Sequence, residues 1–294
     1  MLKNSLIVII IALLLTSCGG GGGGSGSNSG GTNITSLNGG GVKGPLVGAV
    51  VTAYAVNTSA EGFKGTVLAS GYTDGRAQII GLSLPSNVAT PFILEFTSDE
   101  DTTDITTRTA PVIKTLRTAV TSEMLASGSP IYATPLTTVA VDLAIFFSDV
   151  NDRLFSGNDD GIVSQQEFEA GLEVARKKVT SSLGFGILSE VDIYSSSPLI
   201  NGDTNTVTEQ QGVAAYRTAI EALTAIVYQL EQDAHTENVN TEVTSDRLLT
   251  SLAYDLSDGE IDGVADGETI QSMGEVVDNV PSVLITDPMS LVVP

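Results

Sequence analysis

The stretch Thr134–Phe147, TPLTTVAVDLAIFF, separates two patterns of hydrophobicity along the chain. Before it the apolar residues come in short runs with a period near two, and from it onward they recur with a period of about 3.6. Thr134 is a favourable N-cap and Pro135 a favourable first helical residue, so a helix is predicted to begin here. The chain is therefore predicted to be strand-rich before residue 134 and helical after it.

The pattern after residue 134 predicts four amphipathic helices. The first keeps an apolar face from residue 135 to residue 154, and the second begins at Ser164, where Glu167 completes a capping box. The third covers roughly 208–232 and the fourth about 244–256. The residues predicted to face inward are Leu136, Val139, Ala140, Leu143, Phe147, Val150, Leu154, Phe168, Leu172, Ala175, Val179, Leu183, Val213, Tyr216, Ile220, Leu223, Val227, Leu230, Leu248, Leu249, Leu252 and Leu256. We expect residues 134–294 to form an all-α domain.

Residues 42–133 show the pattern of short strands separated by turns. β-Branched and aromatic residues dominate 48–56, and a second run, 66–73, leads through the hairpin signal Asp74-Gly75 into 76–82. Further strands are predicted at 91–96, near 105–108 and at 112–120. Several short strands with turns between them predict an antiparallel β-sandwich.

Two segments of this half resemble a known family. They are Val42–Tyr54, VKGPLVGAVVTAY, and Gly71–Ala77, GYTDGRA. Together they resemble the carboxypeptidase regulatory-like, or transthyretin-like, domains of bacterial surface proteins, over about ninety residues. The resemblance implies an Ig-like, transthyretin-like sandwich at 42–133 that acts as a spacer or binding scaffold and carries no catalytic residue.

Composition limits the classes of function. The chain has 294 residues, a formal net charge of −22 and 41% hydrophobic residues, which suits two folded domains. Residues 42–133 hold eight acids and six bases, whereas 134–294 hold 27 acids and six bases. Such a charge repels phosphate backbones, so no nucleic-acid partner is expected. The acidity belongs almost wholly to the predicted helical domain.

The N-terminus predicts the compartment. Leu6–Leu15 is an apolar run of ten residues, too short to span a bilayer, and 1–17 is typical of a signal peptide. The closing Leu15-Thr16-Ser17-Cys18 resembles the lipobox of bacterial lipoproteins, which implies that Cys18 is lipidated. Gly19 in place of Asp resembles the sorting signal for the outer membrane. We expect a protein of the bacterial cell envelope, bound to the membrane through Cys18; the alternative is an ordinary secretory signal.

Residues 18–41 are predicted to be a tether. Gly, Ser, Asn and Thr dominate 19–41, so this segment has too little apolar surface to order itself. Its expected root-mean-square span is roughly 25–30 Å. The six consecutive glycines have no strand before them and no Gly-Lys-Ser/Thr after them, which excludes a phosphate-binding loop.

One acidic segment between the first two predicted helices has the spacing of a calcium loop. The twelve residues Ser156–Glu167 resemble an EF-hand, with Gly161 at the sixth position. The ligands implied are Ser156, Asn158, Asp160, the Ile162 carbonyl, Ser164 and Glu167. Ser156 departs from the usual Asp, so the expected affinity for Ca²⁺ is weak. The alternative is an acidic turn in which Ser164 and Glu167 cap the second helix.

A second acidic segment, 255–268, carries three Asp-Gly pairs. It offers Asp258, Glu260 and Asp262 before Gly263, but its twelfth position is Thr269, so it is the weaker candidate for a metal ion. Successive tight turns are the simpler interpretation. The segment 201–205 has similar oxygen spacing and is predicted to be a turn before the third helix.

No sequence feature points to catalysis. His235 is the only histidine, and its place after the third predicted helix favours a structural role at the helix C-terminus. No Gly-x-Ser-x-Gly and no His/Cys cluster accompanies it. The sequence predicts a non-enzymatic binding, adhesion or scaffold protein with an unknown protein or surface partner. The alternatives are a structural lipoprotein without metal and a hydrolase whose carboxylates meet only in the fold.

Overall fold

Short strands alternate with turns along residues 34–133, and helices dominate the described residues after 134. The computed structural model describes residues 34–148, 160, 162–187, 191–202, 204–237, 243–265 and 268–269. All of them belong to one compact unit, Asn33–Pro294. The architecture is therefore mixed α and β, as predicted at that level.

The main sheet has five antiparallel strands. In spatial order they are β10 (Thr115–Val120), β8 (Phe92–Thr97), β4 (Val50–Val56), β5 (Lys64–Thr73) and β6 (Ile79–Ile80). The other strands of the described residues form two-stranded pairs: β1 (Ile34–Ser36) with β7 (Ser83–Pro85), β2 (Gly39–Gly41) with β11 (Ile131–Ala133), β3 (Leu46–Val47) with β9 (Thr103–Asp104), and β12 (Val264–Ala265) with β13 (Glu268–Thr269).

The turn predicted at Asp74-Gly75 joins β5 to β6. Asp74 Oδ1 accepts hydrogen bonds from the backbone N–H groups of Arg76 at 2.8 Å and Gln78 at 2.9 Å, as Asp does in tight turns. The strand predicted near 105–108 is instead a turn. It follows β9, and the Arg108 N–H donates to the Asp104 carbonyl at 2.7 Å.

Residues 34–41, which composition assigned to the tether, form strands β1 and β2. β2 is buried and lies parallel to β11. A Cβ atom on Gly39 would lie 1.7 Å from the Ile131 carbonyl oxygen, and one on Gly40 would lie 2.3 Å from that of Ala77. Because a glycine has no side chain, the backbone of β2 can approach the backbones of Ile131 and Ala77 this closely.

The α-helices of the described residues are α1 (Ser122–Ser127), α2 (Pro135–Phe147), α3 (Gln165–Leu183), α4 (Val207–Glu237) and α5 (Ser245–Asp255), and Glu61–Phe63 form a short 3-10 helix. Thr134 and Ser164 form capping boxes at the starts of α2 and α3, and Thr244 caps α5. α2 ends at Phe147, so the predicted continuation of its apolar face through Val150 and Leu154 falls outside the described residues. The other predicted inward-facing residues are buried, except for the half-buried Val213.

Helix α2 lies at the centre of the packing. It contacts β10 on one side and α3, α4 and α5 on others. Its Thr137, Thr138 and Asp142 are buried together with its apolar face, because neighbours surround the helix. The buried apolar side chains of strands and helices consequently form one continuous cluster.

Candidate functional site

A cleft of about 850 Å³ lies between the five-stranded sheet and helices α2 and α5. Charged side chains of both signs line it, together with Ile145 and Phe146 at its apolar part. The charged lining residues are Glu61, Lys64, Glu95, Arg117, Asp142, Asp246 and Arg247. Concave sites in which a few polar groups converge are where proteins most often bind ligands.

The sheet brings two of these charges together. Glu95 in β8 and Arg117 in β10 occupy directly opposite positions in the antiparallel register. Opposite residues of neighbouring strands project from the same face of a sheet. Lys64, the first residue of β5, adds a second cation, and its Nζ donates to Glu95 Oε2 at 3.0 Å. The buried Glu95 is thus held between two cations, with Arg117 Nε 4.0 Å away.

Arg117 continues the network from the sheet to the helices. Its Nη1 lies 2.8 Å from Asp142 Oδ1, and its Nη2 donates to Asp142 Oδ2 at 3.1 Å. The Thr250 hydroxyl of α5 donates to the same Oδ2 at 2.9 Å. Burial raises the pKa of Asp142, whereas Arg117 and the Thr250 hydroxyl act in the opposite direction.

Asp246, in the first turn of α5, binds the start of β10. Its two carboxylate oxygens accept the backbone N–H groups of Lys114 at 3.0 Å and Thr115 at 2.6 Å. Burial raises the pKa of Asp246, and these backbone hydrogen bonds oppose the rise. The acids of the cleft interior, Glu95, Asp142 and Asp246, therefore each have named donors. Such an arrangement orients charge for binding, while the raised pKa values of Asp142 and Asp246 are a feature that catalytic sites also show.

The calcium loop predicted at Ser156–Glu167 is described only in part, because Ser156 and Asn158 lie outside the described residues. Asp160 Oδ1 accepts the Ile162 N–H at 2.9 Å. Glu167 Oε2 accepts the Ser164 N–H at 2.7 Å, and Ser164 Oγ accepts the Glu167 N–H at 3.2 Å. The helix cap of the alternative interpretation is therefore confirmed, and calcium binding stays a prediction.

The described part of the second predicted loop, residues 255–265, forms tight turns around two of its acids. Asp258 Oδ1 accepts the Glu260 N–H at 3.0 Å, and Asp262 Oδ1 accepts the Val264 N–H at 2.9 Å. Asp258, Glu260 and Asp262 are all exposed. Among the residues that the structure describes, no group of three or more His, Cys, Asp and Glu side chains is placed to hold a metal ion.

The residues of the cleft are not among those that the sequence predicts as a site, although two of them carry a visible signal. Glu95 interrupts the apolar strand FILEFT, and Asp142 lies between Val141 and Leu143 in the most apolar helix. A charge in such a place is buried when the segment is buried, and a buried charge needs a partner. The partner itself, Arg117, could not be identified from spacing along the chain.

The remaining predicted features have structural roles or lie outside the described residues. Cys18 lies outside the described residues. His235, in the last turn of α4, has its Nε2 atom 2.8 Å from the Val243 carbonyl oxygen, which fits the predicted structural role. Among the helices of the described ranges, none is both long and apolar enough to cross a membrane.

No protein-family model, no curated protein and no solved structure matches this chain. Inferences about function therefore depend on its own residues.

Proposed function

We propose that this chain is a lipid-anchored protein of the bacterial cell envelope, located in the outer membrane, that acts as a non-catalytic binding, adhesion or scaffold module. The observation that carries the proposal is Cys18, the only cysteine, which directly follows the apolar run and the small residues of a lipobox. The folded unit begins soon afterwards, with its first described strand at Ile34–Ser36. Such a protein presents its folded unit at the membrane surface.

The binding surface of this proposal is the charged cleft. Its interior acids are oriented by Lys64, Arg117 and backbone donors, so their positions are preorganised and little ordering is required when a ligand binds. Arg247 is exposed at the same cleft, where an incoming partner can reach it. The resemblance of 42–133 to transthyretin-like sandwiches belongs to the same proposal, and the antiparallel pairing of β4, β5, β8 and β10 supports it.

Lipidation is tested in bacterial cells by incorporation of a clickable palmitate analogue, followed by membrane fractionation. We expect the wild-type chain to carry the label and to sediment with membranes. Cys18→Ser removes the acceptor thiol and should abolish both. Ser17→Ala is the matched control, because it keeps a small residue before the cysteine and should retain the label. An unlabelled wild-type chain would contradict lipidation and favour the alternative, an ordinary secreted protein.

Binding is tested with the Cys18→Ser chain, added to envelope fragments from cells that lack the protein. We expect saturable binding that Arg247→Glu weakens about tenfold, since it reverses a charge at the cleft. Lys177→Glu, an exposed reversal on α3, is the matched control and should change little. Binding that does not saturate, or that both variants weaken equally, would refute the cleft as the binding surface.

The proposal includes weak calcium binding at the Ser156–Glu167 loop. Ca²⁺ prefers oxygen ligands, and Asp160 and Glu167 supply the charged ones. Millimolar CaCl₂ should raise the melting temperature relative to chelator. Glu167→Gln should remove the part of this increase that depends on the Ser156–Glu167 loop. The structural alternative without metal expects equal melting in both conditions, and the formed Ser164–Glu167 cap supports that alternative.

A hydrolase is the second candidate, because the raised pKa values of Asp142 and Asp246 occur in one cleft. These acids are scattered in sequence and meet only in the fold. A panel of chromogenic esters and glycosides tests the candidate. Turnover that Asp246→Asn abolishes and Asp233→Asn preserves would favour the hydrolase over the binding module.

A further inference from the structure

The turn between β2 and β3 carries a lysine whose side chain is buried. Lys43 stands beside Gly44 in this turn, and only 1% of its surface is exposed. Its Nζ atom lies 3.8 Å from Oδ2 of Asp104, which is equally buried in β9, and 3.5 Å from Oε2 of Glu221 in α4. An amino group, a carboxyl group and a second carboxylate therefore meet inside the fold.

Backbone N–H groups hold both oxygens of the Asp104 carboxyl group. Oδ1 accepts the Thr106 N–H at 2.7 Å, and Oδ2 accepts the Gly44 N–H at 3.1 Å. A Cβ atom on Gly44 would lie 1.8 Å from Oδ1, so the glycine leaves the space that this carboxyl group fills. Fixed N–H donors of this kind also stabilise the negative charge that develops on a carbonyl oxygen when a nucleophile adds to its carbon atom.

Helix α4 positions the third group, Glu221. Arg217, one turn earlier in α4, pairs with Glu221 Oε1 and donates to the Lys43 carbonyl oxygen at 2.6 Å. One arginine therefore fixes the Glu221 carboxylate and the backbone of Lys43 together, and the other oxygen of Glu221, Oε2, lies beside Nζ. A carboxylate in this position is suited to accept a proton from Nζ and to return it to a leaving group.

Burial and proximity both favour a reaction between Lys43 and Asp104. Burial disfavours charge, so a neutral amine beside a neutral acid is closer in free energy to the ion pair in this site than it is in water. The fold also holds the amine beside the carboxyl group, which removes much of the entropic cost of bringing two reactants together. The condensation of an amine with a carboxylic acid needs no oxidant and no other co-reactant.

We propose that Lys43 and Asp104 form an intramolecular isopeptide bond, with Glu221 as the proton carrier. Glu221 carries one proton from the Lys43 ammonium group to Asp104 Oδ2, and the freed amine adds to the Asp104 Cγ atom. Glu221 then carries a second proton from Nζ to Oδ2, the Cγ–Oδ2 bond breaks, and Oδ2 leaves as water. The last proton stays on the new amide, Oδ1 becomes the carbonyl oxygen, and Glu221 is regenerated.

The bond joins the turn after β2 to β9, two segments that are far apart in the chain. Like a disulfide, it restricts the unfolded chain and so favours the folded one. Cys18 is the only cysteine, so no disulfide within this chain can supply such a restraint. The proposal lies beyond the function proposed above and does not depend on it.

Peptide mapping by mass spectrometry detects the bond. The sample is the full chain with Cys18→Ser, which keeps any lipid off the linked peptide, and it is denatured before digestion with trypsin. Trypsin cleaves after unmodified lysine and arginine, so an unlinked chain yields 44–64 and 77–108 as separate peptides. An amide on Lys43 blocks cleavage there and joins 77–108 to the peptide that contains Lys43. We expect this branched peptide, with a mass one water molecule below the sum of its two parts.

Variants test the role of each group. Lys43→Arg should leave the peptides unlinked because it removes the nucleophile, and Glu221→Gln should do so because an amide does not carry the protons. Glu169→Gln, an exposed change on α3, is the matched control and should keep the cross-link. Separate peptides from the chain without these substitutions would overturn the proposal, whether or not the variants fold. A cross-link that forms fully in Glu221→Gln would overturn it as well.

Discussion

Two buried aspartates, Asp142 in the cleft and Asp255 at the end of α5, have the same side chain and opposite surroundings. Burial raises the pKa of both. Asp142 faces Arg117 and receives the Thr250 hydroxyl, so the local charges favour its ionised form. Asp255 accepts two backbone N–H groups instead and has two acids, Asp262 and Asp258, nearby. Burial alone therefore does not determine how strongly the ionised form of a carboxylate is disfavoured, because the charges of its neighbours also act on it.

The largest expected effect comes from removing the partner of Asp142. Arg117→Ala leaves Asp142 and Glu95 buried without their shared cation, and the loss of one partner of a buried pair costs about 3–5 kcal/mol. Urea denaturation at pH 7 measures the free energy of unfolding. Lys177→Ala, which removes an exposed cation from α3, is the control and should cost under about 1 kcal/mol. A similar loss in both variants would mean that the cleft network contributes no special stability.

Neutralising Asp255 should stabilise the fold, whereas Arg117→Ala destabilises it. Its pKa of about 6 in the folded chain exceeds the value of 3.8 in the unfolded chain, so the folded state loses stability as the pH rises from about 4 to 6. In chelator at pH 7, Asp255→Asn should therefore raise the free energy of unfolding by about 1–2 kcal/mol and flatten its pH dependence over that range. Asp142→Asn is the matched comparison and should destabilise. Destabilisation by both would show that the two sites do not differ.

Thr250→Val makes Asp142 more like Asp255, because it removes a donor while keeping the shape of the side chain. The expected loss is about 1.5–2 kcal/mol, in the lower part of the range for a hydrogen bond to a charged group. Thr218→Val removes an exposed hydroxyl that bonds within α4 and is the control. The difference between their urea midpoints measures the contribution of the Thr250 donor, and equal midpoints would count against it.

The smallest effect is expected for an exposed carboxylate. Arg176 and Lys177 lower the pKa of Glu173 to about 2, but half of this side chain is exposed. Its pairing should add stability above pH 4.5 that is lost as the pH falls towards 2, and solvent screening limits this to under about 1 kcal/mol. Glu173→Gln at pH 7 and pH 3 checks this sign. A loss of stability as large as that caused by Arg117→Ala would contradict the expectation that an exposed ion pair contributes less than a buried one.

Short-range sequence patterns were sufficient to predict most of the helices and strands. The caps at Thr134 and Ser164 and the hairpin at Asp74 were visible because each depends on residues within four positions of one another. Strand β2 was not visible, because three glycines carry no hydrophobic pattern and become ordered only against Ile131–Ala133. The cleft was not visible either, because Glu95, Arg117, Asp142 and Thr250 come from four elements.

The sequence by itself determined the periodicity of the elements, the inward faces of the helices and the acidity of the helical half. These are properties of neighbouring residues, and short-range sterics and hydrophobic spacing are enough to set them. Only the tertiary structure decided that strands and helices share one core. It also decided that Asp142 lies against Arg117, whereas Asp258 and Asp262 lie near Asp255. Both outcomes depend on contacts between residues distant in sequence, where burial removes water and makes the charge of each neighbour decisive.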